Sequence, residues 1–152
     1  MRLTVRVLIG LTFALALIAT PAFAKKAPDS LLIEGGGLAS PVEIDDASKL
    51  EEFSPWSRGF VDWARRVPLN EPAVAATPYT VSFFLEERKI YVVEYVPGPD
   101  GEGYVYFPNG SHPAFDLNMS TIITGDSDHW NPNGKWAYAT QEWVEVIERA
   151  LT

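Results

Sequence analysis

The sequence of 152 residues contains no cysteine and only two histidines. The absence of cysteine excludes disulfide bonds, thiol catalysis, cysteine-ligated zinc and a lipid-modified N-terminal cysteine. Basic residues are also scarce, with 12 Lys and Arg against 20 Asp and Glu and a net charge of −8. Because nucleic acids and anionic membranes attract basic proteins, this balance argues against both as partners and favours cationic partners or metal ions.

Long apolar runs are missing as well, with one exception at the N-terminus. Val7–Ala19 carries no charge, Arg2 and Arg6 precede it, and Pro21 is followed by the small-x-small pattern of residues 22–24. This order predicts a secretory signal peptide over residues 1–24, cleaved after Ala24. The run is shorter than the roughly 20 residues of a membrane-spanning helix, which argues against an uncleaved anchor. We therefore expect a secreted or periplasmic protein with no membrane anchor after cleavage.

Cleavage leaves 128 residues and removes two arginines, so the mature chain has a charge of −10. That length suits one domain, and an apolar share of 47% with five tryptophans is enough for a core without disulfides. We expect residues 25–30 to form a short flexible tail and residues 31–152 to form a single α+β domain.

The first part of the mature chain predicts two short strands and a helical turn. Leu31–Glu34 and Val42–Ile44 flank a glycine-rich segment at 35–41. No Gly-Lys-Ser/Thr follows those glycines, so they indicate a turn and not a phosphate-binding loop. Ser48 and Glu51 fit a capping box, which predicts a helical turn over Lys49–Phe53.

Ser54–Arg66 has the spacing of an amphipathic helix. Trp56, Phe60 and Trp63 lie at i, i+4 and i+7, after a serine that suits the N-cap and a proline at the first helical position. An aromatic stripe at this spacing is typical of core packing, and the alternative is a platform that stacks on sugars. Three prolines then predict a linker over Val67–Pro78.

The centre of the chain changes to the period of two that is typical of strands. Tyr79–Leu85, Ile90–Val96 and Tyr104–Phe107 alternate between two faces, and turn residues separate them. They predict a three-stranded antiparallel meander. Further on, the pattern predicts short strands at Ala114–Leu117 and Ser120–Thr124.

The C-terminal part predicts one extended segment and one helix. Lys135–Thr140 is expected to be extended or turn-like, and Gln141–Leu151 is expected to be a helix with Thr140 as a possible N-cap. The fold class expected from these patterns is α+β, with the meander packed by this helix and by Ser54–Arg66.

The two histidines limit the catalytic possibilities. Ser111, His112 and Asp116 supply the residue types of a hydrolase triad, but no Gly-x-Ser-x-Gly frames the serine, which argues against that activity. His112, Asp116 and His129 form a second hypothesis, a zinc site of two imidazoles and one carboxylate with a position open for water. Exported bacterial zinc peptidases use ligand sets of this kind, but their His-x6-Asp spacing is not met here, and no His-Glu-x-x-His occurs.

A polar loop offers oxygen ligands for calcium. Asp126, Asp128, Asn131 and Asn133 lie within eight positions and are followed by Gly134. The spacing departs from an EF-hand, which has a glycine at position six and a glutamate at position twelve. A different calcium loop is one interpretation, and Asx residues that cap turns are the other. No cofactor motif is present.

Glu94 is the carboxylate with the most informative context. In one register, Glu94 faces the apolar row of the Tyr79–Leu85 strand. In the other register, Tyr91, Val93 and Tyr95 form the buried face and Glu94 is solvated. A shift of the register by one residue exchanges the two faces of the strand. Both remain open at this point. The remaining candidates are aromatics that suit contact with glycans or peptides: Tyr104, Tyr106, Trp130 and Trp136.

Several segments together resemble exported bacterial proteins that have no assigned function. These are Gly35-Gly36-Gly37-Leu38, Pro41–Asp45, the Trp56…Phe60…Asp62-Trp63 pattern and the meander between Tyr91 and Tyr106. The resemblance implies export and carries over no catalytic residue. We expect a binding or interaction domain that is not an enzyme and that has a protein or glycan partner. The alternatives are a metal-dependent hydrolase of the cell envelope and a calcium-stabilised binding module.

Overall fold

An open, fully antiparallel sheet of six strands organises the computed structural model, which describes residues 26–65, 76–121 and 133–152. The order of strands across the sheet is β2-β1-β3-β4-β5-β6, so β2 and β6 are its edges. Together with three α-helices this confirms the predicted α+β class. The strands are β1 (Ser30–Gly35), β2 (Val42–Ile44), β3 (Tyr79–Leu85), β4 (Arg88–Pro97), β5 (Gly103–Phe107) and β6 (Lys135–Tyr138), and the helices are α1 (Ala47–Glu52), α2 (Phe115–Thr121) and α3 (Gln141–Leu151).

The predicted meander is confirmed as β3, β4 and β5. The β3–β4 hairpin turns at Glu86 and Glu87, which have φ angles of 51° and 62°. Two successive residues with positive φ are typical of a type I′ turn, whose twist matches that of the flanking strands. Asp29 holds this turn, because its carboxylate accepts a hydrogen bond of 2.6 Å from the Glu86 N–H. Ordered contacts therefore begin within the segment that was expected to be a tail.

One face of the sheet, which we call the core face, carries the hydrophobic core. Its strand residues are fully or almost fully buried and include Leu31, Ile33, Val81, Phe83, Val93, Tyr95 and Val105. Helix α3 covers them with Trp143, whose ring lies 5.2 Å from that of Phe53 and 5.3 Å from that of Phe60. As predicted, Thr140 caps α3, because its Oγ1 accepts a hydrogen bond from the Trp143 N–H.

The predicted helix over Ser54–Arg66 is wrong. This segment is a series of turns, and only Trp63–Arg65 forms one 3-10 turn. Arg58 has a φ of 51°, and a Cβ on Gly59 would lie 2.2 Å from the Glu52 carbonyl oxygen, so the close approach of two backbones breaks the helix here. Phe60 still enters the core, but Trp63 is 40% exposed.

The two predicted strands after residue 113 are also wrong, because Phe115–Thr121 is helix α2. This helix lies beside β4 beyond the end of β5. The side-chain amide of its buried Asn118 accepts from the Val92 N–H at 2.8 Å and donates to the Val92 carbonyl at 2.7 Å. The Thr121 hydroxyl donates to the Ile90 carbonyl. Side chains of α2 therefore take the place of a neighbouring strand, as a strand's unpaired backbone groups require.

The structure also tests the predicted cap of the first helix and the predicted extended segment near residue 135. The N-cap of α1 is Asp46 and not Ser48, because the Asp46 carboxylate accepts a hydrogen bond of 3.0 Å from the Ser48 N–H. Hydrogen bonds from the Ser48 hydroxyl, at 2.7 Å, and from this N–H hold the pKa of Asp46 below its usual value. The extended segment near residue 135 is confirmed as β6.

In the parts of the chain that the structure describes, no helix combines the length and the apolar character needed to cross a membrane. The linker predicted over Val67–Pro78 falls mostly outside the described residues.

Candidate binding site

The face of the sheet opposite the core carries four of the five residues that the sequence named as binding candidates. The register places Glu94 opposite Tyr106 and Tyr106 opposite Trp136, so the three form one row across β4, β5 and β6. Tyr104 and Tyr138 are paired in the next row on the same face. We call these five residues the aromatic face. Residues two strands apart lie about 10 Å from each other, so the three-residue row has that length.

A β-bulge decides on which face Glu94 lies. Phe84 pairs with Lys89 but Phe83 pairs with Tyr91, so β4 has one extra residue at Ile90. Without it, Glu94 would face the apolar row of β3. The bulge therefore selects the second of the two predicted registers, in which Tyr91, Val93 and Tyr95 are buried.

The rings of the aromatic face are in contact in two pairs. The ring centroids of Tyr106 and Trp136 lie 5.1 Å apart at an angle of 44°, and those of Tyr104 and Tyr138 lie 5.3 Å apart at 42°. Tyr104 is buried, whereas Tyr106, Trp136 and Tyr138 are half-buried. Rings at this distance and tilt attract one another, which helps to hold them in place.

Burial and nearby carboxylates hold the hydroxyls of Tyr104 and Tyr106 in their protonated form. The pKa of Tyr104 is raised by burial and by its hydrogen bond to the Glu102 carboxylate, 3.2 Å away. The pKa of Tyr106 is raised by burial and by the negative charge of Glu94. Both phenols therefore stay neutral well above physiological pH.

Arg65 closes one side of the aromatic face. Its guanidinium lies 3.9 Å from the centre of the Tyr138 ring, a cation–π contact. It also contacts the carboxylates of Asp62 at 2.9 Å and Glu102 at 2.6 Å. Hydrogen bonds from Arg65 lower the pKa of both carboxyls, and the two carboxylates in turn raise the pKa of Arg65. The segment before β3 is thereby tied to the β4–β5 turn.

His112 contacts this face through Glu94. Its Nε2 lies 3.3 Å from Glu94 Oε1, and its Nδ1 accepts a hydrogen bond of 3.1 Å from the Ala114 N–H. We therefore assign the tautomer with the proton on Nε2. Both nitrogens of His112 therefore have a partner within the described residues. The Ser111 hydroxyl donates to Asn109 Oδ1, and no Ser–His pair forms.

The metal hypotheses fall partly outside the described residues. His129 of the proposed zinc site lies there, as do Asp126, Asp128 and Asn131 of the proposed calcium loop. Asp116 lies on the exposed side of α2, and Asn133 contacts Met119 Sδ through its side-chain nitrogen at 3.8 Å. Within residues 26–65, 76–121 and 133–152, no three His, Asp or Glu side chains are grouped to hold a metal ion.

The structure brings together four of the five binding candidates, namely Glu94, Tyr104, Tyr106 and Trp136. Trp130 lies outside the described residues. Sequence reasoning missed two members of the site, Tyr138 and Arg65. Because Tyr138 follows Trp136 by two positions, the alternation of side chains along a strand would have placed both residues on the same face. Arg65 has no such local signal, because its partners are set by the tertiary fold.

Comparisons with protein-family models, curated proteins and solved structures find no match for this chain. Function is therefore inferred from the contacts of the aromatic face and from the sequence.

Proposed function

We propose that the chain is an exported, non-enzymatic binding domain whose aromatic face binds a protein or glycan partner in the periplasm or outside the cell. The observation that carries this proposal is the in-register row of Glu94, Tyr106 and Trp136 on the sheet face opposite the core. Apolar rings that are half-buried and already positioned lose little side-chain entropy when a partner covers them. Tyrosine and tryptophan are also the residues that dominate binding surfaces.

The chemistry of the aromatic face suits a partner with both apolar and polar parts. The rings offer area for stacking against a sugar or an apolar side chain, and the Tyr106 hydroxyl and the Glu94 carboxylate offer hydrogen bonds. The excess of acidic residues argues against a nucleic-acid partner. Export rests on the predicted signal peptide, and with no cysteine the chain has no site for a lipid anchor at its mature N-terminus.

A non-enzymatic role is supported by how the polar groups near this face are used. The two nitrogens of His112 and the hydroxyl of Ser111 all have partners within their own loop or on β4. A catalytic base must have a lone pair directed at the proton that it removes. In this arrangement the Nδ1 lone pair of His112 is directed at the Ala114 N–H and its Nε2 faces Glu94.

The first experiment tests binding with the protein purified after expression and export of the full chain. Its intact mass reports whether residues 1–24 have been removed. Cell-wall oligosaccharides on an array and a pull-down of envelope proteins then identify ligands. For a ligand found in this way, we expect Tyr106→Ala and Trp136→Ala to weaken binding at least tenfold, about 1.4 kcal/mol each.

The matched control is Phe84→Ala. Phe84 is a half-buried aromatic on the same side of the sheet, at the other end of β3 from Thr80, which pairs with Glu94, and Lys89 lies over its ring. This variant should bind as the unchanged protein does. Binding that survives both face variants, or that Phe84→Ala weakens equally, would show that the partner docks elsewhere.

A further inference from the structure

A cavity of about 340 Å³ opens on the side of the sheet opposite the aromatic face. Its lining comprises Ala27, Glu51, Ser54, Trp56 and Ser57, from the N-terminal segment, α1 and the turns that follow α1. Leu50 and Phe53, which flank Glu51 and belong to the core, fix this part of the chain against the core face. The volume lies at the lower end of the range found for small-molecule sites, so its occupant is a small molecule or a single side chain.

The two serines of the cavity direct their hydroxyl protons into the protein. Ser54 Oγ donates to Ser57 Oγ at 3.1 Å, and Ser57 Oγ donates to the backbone carbonyl of Glu52. Ser54 Oγ also accepts from the Ser57 N–H at 3.1 Å. A hydroxyl has one proton to donate, so neither serine has a proton left for a ligand. The Ser54 oxygen can still accept one further hydrogen bond.

The other polar lining group is also an acceptor. The Glu51 carboxylate is exposed and has no ion-pair partner in the described part of the chain. The nearest cation on its helix, Lys49, contacts Glu52 instead at 3.9 Å, and no Lys or Arg lines the cavity. The Trp56 indole adds a π-system, and of the aromatic side chains indole attracts cations most strongly.

We propose that this cavity binds an alkylammonium or guanidinium group. A carboxylate, a hydroxyl oxygen and the face of an indole all favour positive charge and hydrogen-bond donors, and no cationic side chain lines the cavity to bind an anion. The same chemistry is carried by a free amine and by a lysine or arginine side chain of a peptide. The acidic character of the whole chain raises the local concentration of either one.

The experiment follows the Trp56 indole N–H resonance of the exported protein in ¹H–¹⁵N NMR spectra. The probes are cadaverine and agmatine as free cations and the blocked tripeptide Gly-Lys-Gly as the peptide source. We expect saturable shifts, and Glu51→Gln should weaken binding threefold to fivefold, about the strength of an exposed charge pair. The neutral 1,5-pentanediol, which matches cadaverine in length, should cause no saturable shift.

The matched control variant is Glu43→Gln, which removes the same charge from an exposed position on β2 outside the cavity. It should leave the affinity for cadaverine within the error of the measurement. The proposal is overturned if pentanediol binds as tightly as cadaverine, if Glu51→Gln and Glu43→Gln weaken binding equally, or if no probe shifts the indole resonance. Tighter binding of the tripeptide than of cadaverine assigns the site to a peptide side chain, and the reverse assigns it to a free amine.

Discussion

Different interactions stabilise the two faces of the sheet. On the core face, β3, β4 and β5 present Phe83, Val93 and Val105, each of them fully buried. On the opposite face the same strands present Thr80, Glu94 and Tyr106, which are half-buried; Glu94 contacts His112, and the Tyr106 ring contacts that of Trp136. Adjacent residues of one strand therefore belong to two environments, one stabilised by removal from water and one by directed contacts.

Tyrosines show what this difference means for a single residue type. On the core face Tyr91 is almost fully buried, which raises its pKa to about 12, and the buried Tyr95 hydroxyl has no hydrogen-bond partner among the described residues. On the opposite face the Tyr104 hydroxyl reaches Glu102. The core face tolerates an unsatisfied hydroxyl because burying the ring contributes more than the missing hydrogen bond costs. On a face that is open to a binding partner, each hydroxyl must be able to form a hydrogen bond.

The largest effect is expected from breaking the core face at α3. Trp143→Ala removes a fully buried ring that contacts Phe53, Phe60 and Phe83, and it should lower the free energy of unfolding by about 3–5 kcal/mol. Urea unfolding followed by circular dichroism measures this. Trp63→Ala, at a tryptophan that is 40% exposed, is the control and should cost less than about 1 kcal/mol. Equal losses would mean that the core is not centred on α3.

The next effect tests the polar attachment of α2 to β4. Asn118→Ala leaves the N–H and the carbonyl of Val92 without partners, and it should cost about 2–4 kcal/mol. Hydrogen exchange at the Val92 amide should accelerate along with the loss of stability. Ser120→Ala, at an exposed site on the same helix, is the control and should change neither quantity noticeably. If Val92 stays protected in Asn118→Ala, α2 holds this part of β4 through apolar contacts instead.

The elements of the core face were the easier ones to predict. The period of two over Tyr79–Leu85 and the cap at Thr140 are local signals, and the structure confirms both. The aromatic stripe of Trp56, Phe60 and Trp63 predicted a helix because spacing alone carries no information about Gly59. Its close approach to the Glu52 carbonyl is a tertiary contact that no local pattern reports. α2 was missed for the same reason, since Asn118 is decided by its partner on β4.

The aromatic face could be predicted in part. Alternation placed Tyr104 and Tyr106 on one side of a strand, but the side for Glu94 stayed open because it depends on the extra residue at Ile90. A bulge changes the register without changing the pattern of apolar residues. The contact with His112 then follows from the conformation of the loop after β5, which no local pattern in the sequence specifies.

The smallest predicted effect concerns the charges beside the aromatic face. Arg65 lowers the pKa of Asp62 and Glu102. Since the folded pKa of both carboxyls lies below the ordinary value of about 4, their contacts stabilise the folded chain fully above that pH, and this contribution is lost as the pH falls through the lowered values. Arg65→Gln should therefore lower the Tm at pH 7 by no more than about 4 °C, and the difference should vanish near pH 2.

The control for this prediction is Lys49→Gln, which changes the net charge equally but breaks only an exposed contact of 3.9 Å. It should lower the Tm less than Arg65→Gln does, because Arg65 contacts two carboxylates and the Tyr138 ring while Lys49 contacts one carboxylate. A loss in Arg65→Gln that is the same at pH 7 and pH 2 would contradict an electrostatic role. Stacking on Tyr138 would then be the main contribution of Arg65, and the face opposite the core would depend on ring packing more than on charge.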